Sequence, residues 1–583
     1  MIKIRLVKLF TSSFLSLGLL INSSTDAQEL PLLEFNSVMF PEVATAGMVV
    51  SQESRATEVG VKILEQGGNA VDAAIAVSFA LAVTLPRAGN IGGGGFMMIY
   101  DNQKKEVSAL DYREKAPKAA YRDLFLDESL NVDNRKARYS IFSTGVPGTV
   151  AGMVEAHNKY GKLPFAKLVE PAIKLAQSTQ MTLAMSQSFN ARKKYLSRDP
   201  ASKAIFTKAD GSNWKIGDEF QQPRLAETLK LIAETKGRDF YEGITARRIA
   251  DYFKANNGLI TLDDLNSYRA VWREPVSTQY GDYEVFSMPP PSSGGVHLIQ
   301  LLNIMQNFPI DKAGPNSAFT THIKTEAMKH AYADRSEYLG DPDFVKVPVK
   351  KLIDPKYADS IAKQISLDKV IPTDTIKPGQ YLDTESPQTT HFSVMDKDGN
   401  IVSNTYTLNF SFGNGKSIPS VGMLLNNEMD DFSAKPGTPN GYGLLGGDAN
   451  AIAPEKRPLS SMTPVVVLKN DEPWLATGSP GGSRIISIVF NFLINRMVFD
   501  MNIAEATIQP RIHHQWYPDR LSVEKGFPKD SAKLLQEMGH NVQFRRPWGS
   551  SHSIEFQGGV FMGFADTRRP GASAKGTNKV EEK

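Results

Sequence analysis

Two alternating segments around Asp396-Lys397-Asp398-Gly399-Asn400 constrain this chain more than any other feature of its 583 residues. A three-residue loop, Lys397-Asp398-Gly399, puts glycine at the left-handed position such hairpin turns need. The turn then fixes the pairing: Met395 with Ile401, Ser393 with Ser403 and Thr389 with Thr407. Odd positions carry Thr389, His391, Ser393, Ser403, Thr405, Thr407 and Asn409; even positions carry Phe392, Val394, Val402, Tyr406 and Leu408. One face is hydroxyl-rich and the other belongs to a core. Taken alone, a threonine at a strand start is a β-former, and Thr389 opposite Thr407 an ordinary cross-strand hydroxyl pair.

The chain changes character just before this hairpin. Residues 366–388 are polar and hold Pro372, Pro378, Gly379 and Pro387, which reads as a linker. Upstream, helical spacing dominates. Ala56 to Val83 is helical with a break at Gly67-Gly68, and its second part is apolar nearly all round, as in a buried helix. Gly92 to Gly95 then leads into a strand-like Phe96–Tyr100; four glycines in a row point to close backbone approach. Residues 145–260 are mainly helical, and helical pattern returns at His297–Met305 and Ile323–Tyr338 around the stiff loop Met288–Gly295. Downstream, strands are expected near Met423–Leu425, Pro464–Leu468 and Trp474–Ala476, a helix over Ser483–Val498, and a disordered tail over Ala572–Lys583. The mix implies α and β layers around a largely antiparallel sheet.

The N-terminus reads as a secretory signal. Lys3, Arg5 and Lys8 precede an apolar run from Phe14 to Ile21, and Thr25-Asp26-Ala27 resembles a cleavage site after Ala27. Removing residues 1–27 takes the formal charge from +3 to +1. No basic stripe suggests nucleic acid, and no later stretch is long and apolar enough for a membrane span. The expectation is a periplasmic or secreted protein, not held in a membrane once mature. The absence of cysteine excludes disulfides, Cys-ligated metals and a Cys nucleophile.

Familiar chemical motifs fail one by one. Gly413-Asn414-Gly415-Lys416-Ser417 lacks the upstream glycine of a phosphate loop, where Phe410 stands. Thr477 replaces the first glycine of a nucleophile elbow at Gly478-Ser479-Pro480-Gly481. The nine histidines show no metal-ligand spacing.

What remains resembles one family. Pro387-Gln388-Thr389-Thr390-His391-Phe392-Ser393-Val394, followed by Asp396–Asn400 and Thr405-Tyr406-Thr407-Leu408-Asn409, is similar to the processing site of bacterial γ-glutamyltranspeptidases. The resemblance continues in Leu424–Phe432, Arg457–Met462, Thr477–Ser483, Gly92–Phe96, Asp111-Tyr112-Arg113-Glu114 and Pro289–Gly295, across nearly the whole mature chain. It implies an α+β, four-layer αββα sandwich of the N-terminal-nucleophile hydrolase type. It implies self-cleavage between Gln388 and Thr389, giving a large subunit of residues 28–388 and a small one of 389–583 that stay together as a heterodimer.

Thr389 would then carry both the nucleophilic hydroxyl and a free α-amine. An amine of pKa near ~7.7–8 is a base close to working pH and dispenses with a histidine. By the same resemblance Thr407 bonds Thr389, and Gly481 and Gly482 form an oxyanion hole. Arg113, Ser460 and Ser461 hold the substrate α-carboxylate. Asn409, Glu428 and Asp431 hold its α-ammonium, and Tyr442 sits in a lid over the site, Pro436–Gly447. The substrates implied are small molecules (glutathione, other γ-glutamyl compounds, amino acid or peptide acceptors), with no metal or organic cofactor. Away from the resemblance, Arg113 and Asp431 read as surface ion-pair residues and Ser460-Ser461 as a cap or turn. Two alternatives stay open: an acylase of the same fold, such as one acting on glutaryl-cephalosporins, and an exported solute-binding protein.

Overall fold

The computed structural model describes residues 37–376 and 389–579. The signal segment 1–27, the cleavage-site residue Gln388 and the linker from residue 377 onward lie outside the described residues.

Two seven-stranded antiparallel sheets form the centre. In the first, the spatial order is Ser573–Thr577, Gly47–Ser51, Thr390–Asp396, Ile401–Thr407, Gly94–Asp101, Glu106–Asp111 and Val271–Arg273. In the second it is Glu42–Ala44, Val560–Ala565, His552–Gln557, Glu472–Thr477, Val465–Lys469, Tyr283–Ser287 and Val276–Tyr280. The sheets pack face to face. Helices Ser54–Glu65 and Ala70–Thr84 cover the outer face of the first, and Gly294–Met305 covers the second, with Ala318–Tyr338 and Ile485–Met497 packed on it. The result is the four-layer αββα sandwich.

The hairpin forms in the expected register, with Met395 opposite Ile401 and Ser393 opposite Ser403. Gly399 sits at φ +83°. Asp396 organises the turn by accepting the N–H groups of Asp398 and Asn400, and its second oxygen accepts Ala70 N–H at 2.8 Å, joining the turn to the start of the Ala70–Thr84 helix. Neither face meets water. Phe392, Val394, Val402 and Tyr406 enter the core shared with that helix. The hydroxyl face meets the second sheet: Ser393 Oγ donates to His552 O, and Ser403 Oγ donates to Thr477 O and accepts Val465 N–H. Side-chain hydroxyls thus bond the backbone of the facing sheet, which satisfies polar groups between two buried layers.

The helix over residues 70–84 is buried along its whole length, consistent with its all-round apolar sequence. The glycine run also behaves as its sequence implies. A Cβ on Gly93 would come within 1.9 Å of Thr407 O, and one on Gly92 within 2.4 Å of Leu424 O. One expectation is corrected. Ser573–Thr577 is no disordered tail but an edge strand, pairing Ser573 with Ser51 and Thr577 with Gly47. Its polar sequence has little β propensity; pairing to the apolar strand Gly47–Ser51 supplies the order.

Candidate active site

The end of the hairpin opens onto a small, tightly lined cavity. Thr389, Thr407, Asn409, Arg113, Glu428, Asp431, Ser460, Ser461, Tyr442 and Gly482 all line it, residues drawn from positions 113 to 482 of the chain. Gly481 stands one residue back and is not in the lining. One further charged residue of the wall, Arg335, was not expected from sequence.

Each wall has a local cause. Thr407 Oγ1 accepts the N–H of Asn409, and Asn90 Nδ2 holds the Thr407 carbonyl. Asn409 is at φ +69°, a bend that turns the chain out of the strand. The stiff loop before Gly294 grips the Ser460 segment: Ser293 N–H and Oγ both donate to Ser460 O, and Ser460 N–H donates to Pro291 O. Gly481 and Gly482 lead into the helix that starts at Ile485, with φ of +155° and +57°. Among the described residues no protein acceptor takes either N–H. Two unused donors at a helix start are suited to a developing oxyanion.

His391 is no base for Thr389. Its ring nitrogens are 2.8 Å from Thr405 Oγ1 and 3.1 Å from Ser393 Oγ, and burial holds its pKa well below the usual histidine value.

Arg113 is fully buried and the Asp431 side chain only 12% exposed, which overturns the surface reading of this ion pair. Arg113 pairs with Glu428, with Asp431 at 2.5 Å and with Glu114 at 3.4 Å. Burial alone would favour the neutral guanidine. The Glu428, Glu114 and Asp431 carboxylates outweigh it and hold the Arg113 pKa above its ordinary value. Burial conversely raises Glu428 and Asp431, and pushes Glu114 up to about 7, against the pull of Arg113. Arg113, which the resemblance assigns to the substrate carboxylate, therefore pairs directly with the two carboxylates, Glu428 and Asp431, that it assigns to the ammonium.

The 436–447 loop packs against this cluster. Tyr442 OH donates to Asn409 O at 2.8 Å, Gly441 N–H to Asp430, and Gln515 Nε2 to Gly443 O.

A profile for the family described as gamma-glutamyltranspeptidase matches residues 56–576. The chain belongs to the γ-glutamyltranspeptidase family. It is 52% identical over 519 residues to the glutathione hydrolase proenzyme of Escherichia coli K12, covering 89% of each chain. It is 41% identical over 548 residues to that of Pseudomonas aeruginosa, covering 92% of this chain and 96% of the relative. Among solved structures, a Helicobacter pylori γ-glutamyltranspeptidase chain is 43% identical with a TM-score of 0.55, covering 60% of this chain and 97% of that one. A cephalosporin acylase from Bacillus halodurans is 27% identical with a TM-score of 0.82, covering 95% and 100%. The family's N-terminal-nucleophile fold agrees with the sandwich described above.

Membership in this enzyme family gives the glycines and the lid a testable link. A Cβ on Gly482 would come within 2.6 Å of the Tyr442 ring, at a φ that L side chains avoid. Gly482→Ala is expected to lift Tyr442 and lower kcat by about tenfold or more, while opening the 436–447 loop to protease. Unchanged kcat and unchanged proteolysis would separate the loop from catalysis.

One side-chain cluster lies apart from this cavity. His322 and Glu326, four residues apart on the Ala318–Tyr338 helix, meet His540 closely enough to hold an ion. The sequence reading of the histidines passed over that spacing. His322 Nδ1 lies 2.8 Å from His540 Nε2, and Lys329 Nζ lies 2.8 Å from Glu326, so an ammonium already supplies the positive charge there. Among the described residues no helix is long and apolar enough to cross a membrane.

Proposed function

We propose that this protein is an exported γ-glutamyltransferase and glutathione hydrolase, with Thr389 as nucleophile. Residues 1–27 direct export to the periplasm or beyond, and the precursor cuts itself between Gln388 and Thr389 into chains of residues 28–388 and 389–583 that remain a heterodimer. The new α-amine takes the Thr389 hydroxyl proton as Oγ attacks the γ-carbonyl of the donor. The oxyanion is held by the N–H groups of Gly481 and Gly482. The amine's proton passes to the leaving group, and a γ-glutamyl ester on Thr389 remains. Water or the amino group of an amino acid or peptide then attacks this ester, releasing glutamate or a new γ-glutamyl compound.

The observation that carries this reading is the convergence of Thr389, the unused Gly482 N–H and a buried set of both charge signs on one cavity. Glu428 and Asp431 favour a γ-glutamyl donor over the glutaryl group of an acylase. A glutaryl chain lacks the ammonium and would face two buried carboxylates with nothing to offer them. Purified protein is expected to run as two chains on a denaturing gel, the shorter beginning Thr-Thr-His-Phe, and to release glutamate from glutathione. A single fully active chain, or another N-terminus, would remove Thr389 from this role.

Thr407 supports the nucleophile. It faces the same cavity, across the hairpin from Thr389, and its Oγ1 accepts Asn409 N–H at 2.9 Å. Thr407→Val keeps the β-branched shape and removes the hydroxyl. It is expected to slow maturation and to lower kcat roughly ten- to a hundredfold, with about 1 kcal/mol lost in stability as Asn409 loses its acceptor. Wild-type maturation and kcat in this variant would assign Thr407 a purely structural part.

A further inference from the structure

A basic groove adjoins the cavity. Its wall holds Arg135, Arg138 and Tyr139 of the Asn134–Tyr139 helix, Tyr195 and Arg198 at the end of the Leu183–Leu196 helix, and Lys416. These cations are far apart in a chain of formal charge only +3, and the fold alone gathers them. Among the described residues no ion pair engages Arg135, Arg198 or Lys416; Arg138 pairs with Asp430 at 3.2 Å. The carboxylate in the wall, Asp199, is buried and spent on backbone, accepting Ser202 N–H at 2.9 Å and Ser417 N–H at 3.2 Å. Asp133, just before the first helix, likewise accepts Arg135 and Lys136 N–H. Tyr195 OH donates to Gly413 O, which fixes a ring beneath the Arg198 guanidinium at 5.8 Å. Stacking of this kind leaves guanidinium N–H groups free for an anion.

The groove and the cavity share a wall. Asn409 lines the cavity, and Asn414, Gly415 and Lys416 of the same segment line the groove. Between them Phe410 packs on Tyr442, 5.6 Å between ring centroids, and on Tyr139 at 6.4 Å. Asp430, the partner of Arg138, also accepts Gly441 N–H of the 436–447 loop at 2.9 Å.

We propose that this groove receives the acidic residues of a peptide acceptor whose free α-amino group attacks the ester on Thr389. The proposal rests on the function proposed above and leaves the transfer chemistry unchanged. Each residue of an extended peptide spans about 3.3–3.6 Å, so a few residues carry it past the two rings. The fit is one of charge: three cations without counter-ions meet carboxylates, and the two guanidinium forks match them in shape as well. The field of such a groove also gathers anions from solution, an effect that salt screens. A single amino acid does not reach the groove, so the preference belongs to peptides alone.

Two acceptors of equal size test this. Transfer from γ-glutamyl p-nitroanilide to Gly-Glu-Glu-Glu and to its neutral counterpart Gly-Gln-Gln-Gln is compared by acceptor kcat/KM. The matured wild-type enzyme is set beside a variant combining Arg135→Gln, Arg198→Gln and Lys416→Gln, and beside Arg198→Glu alone. At low salt the wild type is expected to favour the acidic peptide about tenfold, shrinking toward about twofold in about 0.5 M salt. In the combined variant the two peptides are expected to agree within about twofold, with hydrolysis of the donor in the absence of acceptor also within about twofold of wild type. Arg198→Glu is expected to cut the acidic advantage at least about threefold and serves as the readout if the combined variant does not mature. Equal use of the two peptides by the wild type at low salt, or an advantage that survives in both variants, would overturn the proposal. Failure of the wild-type enzyme to consume the γ-glutamyl donor would instead overturn the proposed function itself.

Discussion

Thr389→Ala is expected to remain one unprocessed chain and to lose at least about 10⁴-fold in turnover, because the group that cuts the precursor is the group that attacks substrate. The loss should not reflect unfolding. Thr389 immediately precedes the strand Thr390–Asp396, and six cross-strand pairs from Thr390–Tyr406 to Met395–Ile401 define the hairpin without it. Removing one hydroxyl and one methyl at its end should cost only about 1 kcal/mol in stability. Thermal melting close to wild type, together with absent processing and absent activity, is the expected pattern. Thr389→Ser keeps a hydroxyl and should recover both processing and turnover in part. Residual activity in an uncleaved Thr389→Ala chain would show that another group attacks.

Arg113→Gln should damage stability and activity together. The side chain is fully buried among Glu114, Glu428 and Asp431, so the variant leaves three carboxylates without their nearest counter-charge. Breaking such a buried network costs about 3–5 kcal/mol. The pH dependence has a definite sign. Glu114 has its folded pKa raised from 4.5 to about 7, so its contribution is present below the unfolded value and is lost as pH rises through about 7. Without Arg113 the folded carboxyls titrate higher still. The Tm gap between wild type and Arg113→Gln should therefore be wider at pH 8 than at pH 6, and activity should fall by about a hundredfold or more even where the protein is folded. A gap that narrows toward alkaline pH would mean that Arg113 is not the counter-charge of this cluster.

Much of the site was legible because it is built on local rules. The turn at Asp396–Asn400 needs Gly399, and that turn fixes the parity that puts His391, Ser393, Ser403 and Thr405 on one face. Alternation alone does not say what that face meets. Here it is a second sheet whose backbone accepts its hydroxyls, a consequence of two layers stacking that are far apart in sequence. Arg335 was missed for a similar reason. It lies in Ala333-Asp334-Arg335-Ser336, an unremarkable helical stretch, and only tertiary packing turns it to the cavity. Two of the three ion partners of Arg113 come from residues 428 and 431, more than 300 positions away. The strand Ser573–Thr577 was illegible because its order comes from its neighbour and not from its own side chains.

Trapping the acyl-enzyme tests the central claim most directly. The matured protein is mixed with a γ-glutamyl donor, quenched in acid within the first turnovers, digested and analysed by mass spectrometry. The account predicts one glutamyl group, alkali-labile as an ester should be, on the peptide that begins at Thr389, and none on the same peptide from a donor lacking the γ-glutamyl group. A glutamyl adduct on any other residue, or rapid turnover with no adduct on Thr389, would contradict it.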